Sequence, residues 1–180
     1  IAKKLGETLG TTLVVENRGG AGGSVAAQIV ALARPDGYTL FWGSVGALTI
    51  NRILEKNLPY NAETAFAPIA LTLTFCNALI ARQDSPIQSI AQLIALAKEK
   101  PNELNYGTQG IGSAGYLSGE LLKNLTGMRL MHVPYKGASE ILTAVLGGEL
   151  NVSFISATSA GSMRNRLRIL AVTSLQRDPS

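Results

Sequence analysis

One cysteine, one histidine and one tryptophan occur in 180 residues, and these scarcities exclude several chemistries. Cys76 alone cannot form an internal disulfide or a metal site built from several thiolates. It lies in the apolar run "LTLTFCNALIA", a setting for a small buried hydrophobe and not for a nucleophile. His132, between Met131 and Val133, reads as a satisfied, half-buried strand residue. No H-x-x-E, G-x-S-x-G or S-x-x-K arrangement is present, so no hydrolase motif is met. Asp36, Asp84 and Asp178 fall in turns beside Pro or Gly, not as a carboxylate pair. This shortage of acid, base and nucleophile favours binding over catalysis. No run reaches the roughly 20 apolar residues of a membrane helix, which argues against direct membrane insertion. The net charge is only +4. Its one loose basic cluster, Arg164, Arg166 and Arg168, reads as a solvated helix end, so nothing predicts a nucleic-acid groove.

What is abundant is apolar: hydrophobic residues make up 46% and charged ones 16%, which excludes general disorder. Short β-like runs alternate with capped helices. "LVVE" (13–16), "TLFWGS" (39–44), "FAPIALTLTF" (66–75), "NALIAR", "LNYG", "RLMHV", "NVSFI" and "LRILAVTS" read as strands or β-rich runs. "SVAAQIVALA" from Ser24, which serves as its cap, "GALTINRILE", "YLSGELLKNLTG" and "SEILTAVLGG" read as helices. Ser89 and Gln92 form a capping box before "LIALAKEK". Lys98 and Lys100 suit the negative end of that helix, and Pro101 stops it. The alternation predicts α/β architecture with mostly parallel strands. "IAKKLGETLG" reads as the tail of a helix already under way, without an initiating Met or a signal peptide, as expected of an excised piece.

The stretch "GTQGIGSAGY" (107–116) holds a G-x-G-x-x-G in Gly110, Gly112 and Gly115. A dinucleotide site requires an acid about 20 residues on, at the end of the next strand. That strand ends instead in Val133, Pro134, Tyr135 and Lys136, and the nearest acid, Glu140, falls in the following helix. No Walker-type Gly-Lys-Ser/Thr is present. The alternative is a carboxylate held by main-chain N–H groups at a helix start, with help from Thr108, Gln109 and Ser113. A tight turn capped by Thr108 and Ser113 is the plainer reading.

Several stretches together, "VVENRGGAGGSVAAQIVALARPDGYTL", "FAPIALTL", "SIAQLIALAKEKPNELNYGTQGIGSAGYLSGELL", "MHVPYKG" and "LRILAVTS", resemble the solute receptors of tripartite tricarboxylate transporters. These are the Bug- or TctC-type periplasmic binding proteins. The resemblance covers almost the whole chain and implies a type II periplasmic-binding-protein fold. In that fold two Rossmann-like lobes joined by crossover strands close on a small carboxylate. It implies a partial lobe 1 (1–75), a complete lobe 2 (76–172) and a return segment (173–180), with the crossovers near Leu73 and Ala171. Implied contacts are Gly43, Ser44 and Val45 after the "TLF" strand, Thr108, Gln109 and Ser113 in the glycine loop, and Thr158 in a loop facing the cleft. The resemblance further implies a periplasmic monomer that hands its ligand to membrane transporter subunits, with no cofactor, metal or catalytic step. The rival readings are an NAD(P)-dependent oxidoreductase using 110–115, and a ligand-sensing receptor in signalling. The chain departs from the family pattern at Gly19 (usually Pro), Tyr116 (often His) and Ile155 (often an Asp that contacts amines). The family's first carboxylate loop would precede Ile1.

Overall fold

The computed structural model describes residues 1–176; Asp178 and positions 177–180 of the return segment lie outside them. One five-stranded sheet, in the order β3–β2–β4–β1–β5, organises residues 77–172. Its strands are β1 (Asn77–Arg82), β2 (Asn105–Thr108), β3 (Met131–Pro134), β4 (Val152–Ser156) and β5 (Leu167–Val172). β2 is parallel to β3 and β4, whereas β1 is antiparallel to β4 and β5. The sheet is thus mixed, which corrects the mostly parallel expectation. Strand–helix alternation fixes the two crossovers from β2 to β3 and from β3 to β4, but it leaves open the direction of the flanking strands.

Both sheet faces are covered. Period two along β1 sends Leu79 and Ala81 into a core with Leu93, Tyr106, Val152 and Phe154. It sends Ala78 and Ile80 into a second core with Ile141, Val145, Leu150 and Ile155. The first core is closed by α4 (Ile90–Glu99) and the second by α6 (Ala138–Gly147). At the start of α4, Gln92 N–H donates to Ser89 Oγ at 3.2 Å. The reciprocal bond runs from Gln88 N–H to Gln92 Oε1 at 2.7 Å, one residue before the cap. Helix α5 (Ala114–Thr126) ends at Gly127, which takes the left-handed C-cap conformation.

Residues 1–75 are built differently. They contain α1 (Ala2–Leu9), a 3₁₀ turn (Ala21–Gly23), α2 (Ser24–Ala31), and a π-helical turn (Gly46–Ile50) running into α3 (Asn51–Leu54). A small core joins Ala27, Ala47 and Tyr60 with Phe41 and Phe66. The expected strands at 13–16, 39–44 and 66–75 enter no sheet among the described residues. Val14, Ile69 and Leu71 are more than four-fifths exposed. Apolar, β-branched sequence supplies strand propensity, but a strand exists only when a neighbour takes its N–H and C=O groups.

Three smaller expectations are also corrected. Gly23, not Ser24, is the N-cap of α2, because the Ser24 hydroxyl accepts from Asn51 Nδ2 at 2.6 Å. The arginine cluster is not a helix end: Arg164 and Arg166 lie in the turn after α7 (Ala157–Gly161), and Arg168 lies in β5. Cys76 is partly, not fully, buried.

Candidate functional site

The glycine loop follows β2 and opens α5, the βα junction at which a parallel sheet presents main-chain donors. Its two hydroxyls are engaged within the protein. Ser113 is the N-cap of α5: its Oγ accepts from Tyr116 N–H at 3.2 Å and donates to the Gly110 carbonyl at 2.7 Å. Thr108 is fully buried; its Oγ1 lies 2.7 Å from His132 Nε2 and accepts from Gly110 N–H at 3.3 Å. Gln109 and Ile111, by contrast, are exposed at the loop surface.

Against this loop packs the glycine turn of the first region. Gly112 has φ +82°, and a Cβ there would overlap Asn51 Oδ1. A Cβ on Gly22 (φ +60°) would lie 2.7 Å from the Ile111 carbonyl oxygen. Backbone therefore meets backbone across the seam, which only glycine permits. Asn51, inside the apolar stretch "TINRIL", is fully buried and donates to the Ala21 carbonyl at 3.1 Å and to Ser24 Oγ. Its Oδ1, facing Gly112, has no hydrogen-bond partner. Ala21 takes a left-handed φ of +46°, a strained conformation for a non-glycine residue. Beside the seam opens a cavity of about 520 Å³ lined by Ala21, Glu55, Gly110, Ile111, Tyr135 and Lys136, among others.

Below the loop lies a polar network between β2, β3 and α5. The Tyr106 hydroxyl donates to Glu120 Oε1, which also accepts from Lys123 Nζ at 2.8 Å. The His132 ring lies between Tyr106 and Tyr116, with centroids at 5.1 and 4.9 Å. Burial, reinforced by the Glu120 carboxylate, pushes the Tyr106 phenol well above its ordinary range. Burial alone would raise Glu120. The hydrogen bonds from Lys123 and Tyr106 outweigh it and hold the carboxyl below its usual value. His132 is held below the usual imidazole value mainly by burial.

The family model for the tripartite tricarboxylate transporter family receptor matches residues 1–180. The chain belongs to that family. It is 37% identical over 174 residues to a UPF0065 protein of Bordetella pertussis, covering 97% of this chain and 54% of that protein. It is 30% identical over 180 residues to Protein BugT of the same organism, covering 98% and 55%. The chain thus spans about half the length of the curated relatives it matches. Among solved structures, Rpa4515 of R. palustris with adipate superposes at TM-score 0.92 with 34% identity, over 98% of this chain and 60% of that one. MatC (Rpa3494) from Rhodopseudomonas palustris with bound malate does so at 0.90 and 29%, over 99% and 61%. The periplasmic binding protein BugD gives 0.92 and 34%, over 99% and 60%. The periplasmic-binding-protein-like α/β fold is therefore this receptor-family chain's own.

Within this receptor-family fold, two of the three expected contact groups come together. The turn at Gly43, Ser44 and Val45 approaches the glycine loop through Gly46, where a Cβ would lie 2.9 Å from the Gly112 carbonyl oxygen and 2.7 Å from that of Gly22. Ser44 Oγ accepts from Ala47 N–H at 3.4 Å, while Val45 is half exposed. Thr158 stands apart: it lies in α7, not in a loop, is exposed, and α7 packs on β1, β4 and β5. Sequence reasoning assigned neither Asn51 nor the 20–22 turn to the site. The signal for Asn51 was an amide at an inward position of an apolar helix. For the turn it was four glycines within "GGAGG", which mark a close approach but not its partner.

Proposed function

We propose that the chain is part of an extracytoplasmic receptor that captures a small carboxylate in the periplasm and delivers it to membrane transporter subunits. It would act as a monomer, without a cofactor and without a catalytic step. In this reading residues 1–75 belong to one lobe, 76–172 form the other, and the chain from 173 returns toward the first. Closure would be absorbed near Leu73 and Ala171. Supporting it is the likeness, over nearly the whole chain, to structures holding adipate and malate.

Gly43, Ser44, Val45, Thr108, Gln109, Ser113 and Thr158 are the proposed contacts. Because the Thr108 and Ser113 hydroxyls are engaged internally and the Ser113 N–H donates to the Gly110 carbonyl at 3.2 Å, these two residues would act mainly by shaping the loop, leaving the main-chain N–H groups of the first turn of α5 to meet the anion. Such groups at the start of α5 carry the partial positive charge of a helix end and need no arginine. The oxidoreductase reading has the right local context, since the loop joins β2 to α5 and β3 lies parallel beside β2. It lacks the ribose-binding acid: Glu140 lies in α6, where its carboxylate accepts from Lys136 N–H. A sensor would use the same binding chemistry with a different output.

The test is a thermal-shift and calorimetric screen of the full-length protein against malate, adipate, other small carboxylates, and NAD(H). Stabilisation by one or more carboxylates and none by NAD(H) is expected; the reverse pattern transfers the assignment to the oxidoreductase.

A further inference from the structure

The polar network under the glycine loop contains the chain's single histidine, and the solute-receptor reading gives it no task. We propose that His132 is a positioning residue for the glycine loop, acting through the Thr108 hydroxyl, and that its proton sets the loop's affinity for an anion. The affinity half of this proposal rests on the carboxylate-receptor reading; the relay half does not.

The geometry allows two hydrogen-bond patterns and no third. Thr108 Oγ1 lies 2.7 Å from His132 Nε2 and 3.3 Å from the Gly110 carbonyl oxygen, and Gly110 N–H donates to it at 3.3 Å. A hydroxyl has one proton to give. With Nε2 unprotonated, Thr108 donates to the imidazole, and the Gly110 carbonyl keeps the bond from Ser113 Oγ. A proton on Nε2, in the Nε2–H tautomer of the neutral ring or in the imidazolium, is donated to Thr108 Oγ1, and the hydroxyl then turns to the Gly110 carbonyl. Thr108 is fully buried, so water is a poor substitute for either partner. The relay takes the neutral ring as its Nδ1–H tautomer: a proton gained on Nε2 then passes the change from β3 to the carbonyl that anchors the Ser113 cap.

Tyr106 on β2 and Tyr116, Glu120 and Lys123 on α5 are the titratable groups facing the ring. Burial and the Lys123 charge lower its proton affinity, and Glu120 opposes them, which leaves His132 neutral at pH 7. A carboxylate bound at the loop adds negative charge near the ring and favours the imidazolium. By reciprocity, anion affinity rises as pH falls through the His132 titration.

The experiment has two arms. In the ligand-free protein, NMR follows the His132 imidazole together with the Gly110, Gly112 and Ser113 amides from pH 8 to 5. The amides are expected to titrate with the imidazole midpoint in the parent and in Thr108→Ser, and to lose that response in Thr108→Val and His132→Gln. Amides that ignore the imidazole in the parent, or that keep its midpoint in a folded Thr108→Val, overturn the relay. In the second arm, malate and adipate affinities are measured over the same range. A gain of about three- to tenfold toward low pH, absent in His132→Gln, is expected. Binding without that gain overturns the affinity half. A working relay with no carboxylate binding at any pH removes the receptor reading and leaves the relay standing.

Discussion

Residues 1–75 and 77–172 both carry strand-like apolar runs, yet they bury them to very different extents. In the second region β1 sends alternate residues into two cores, and Ala78, Leu79, Ile80 and Ala81 are all essentially inaccessible. In the first, Ala27, Ala47 and Tyr60 are the buried hydrophobics among the described residues, while Val14, Val15, Tyr38, Ile69, Leu71 and Phe75 stand exposed. The difference lies not in propensity but in partners. β1 has a strand on each side, whereas the runs at 13–16, 39–44 and 66–75 have none in the described sheet. Burial follows pairing, because a lone extended segment cannot leave water without stranding its backbone polar groups.

The comparison can be broken most sharply at its extremes. Leu79→Ala should cost about 2–5 kcal/mol, whereas Ile69→Ala should stay within about 0.5 kcal/mol; urea unfolding followed by circular dichroism measures both. Equal losses would show that the first region is packed as tightly as the second. A smaller effect is expected at the seam. Gly112→Ala forces a side chain against Asn51 Oδ1 at a left-handed φ and should cost about 1–3 kcal/mol. That cost should shrink in an Asn51→Ala background. The fluorescence of Trp42, the one tryptophan, reports the first region, and the seam mutation should separate its transition from that of the helices. Additive costs in the double-mutant cycle would mean that the two loops do not support one another. Below the seam in size comes the α4 cap: Ser89→Ala should lower stability by about 1 kcal/mol and act only on the second region. A shift in the Trp42 transition alone would contradict that placement.

Local features were readable because their causes are local. The Ser89 cap, the Ser113 cap and the Gly127 stop each rest on one side chain or one φ within a few residues. The engaged state of Thr108 was not readable, since its partner His132 is 24 residues away on the neighbouring strand. Ser24 was misread for the same reason: its hydroxyl is taken by Asn51, 27 residues on. The family resemblance supplied the candidate loops, but it set Thr158 in a loop where the structure places it on a short helix.

By itself the sequence determined the α/β alternation, the capped helices and the glycine turn opening α5, because these follow from the periodicity and capping chemistry of neighbouring residues. Only the tertiary structure decided that β1 and β5 run in a mixed sheet whose flank is antiparallel, and that three apolar runs go unpaired. It alone placed one glycine turn against another over Asn51, since each of these depends on which distant group arrives to fill a hydrogen bond or a space.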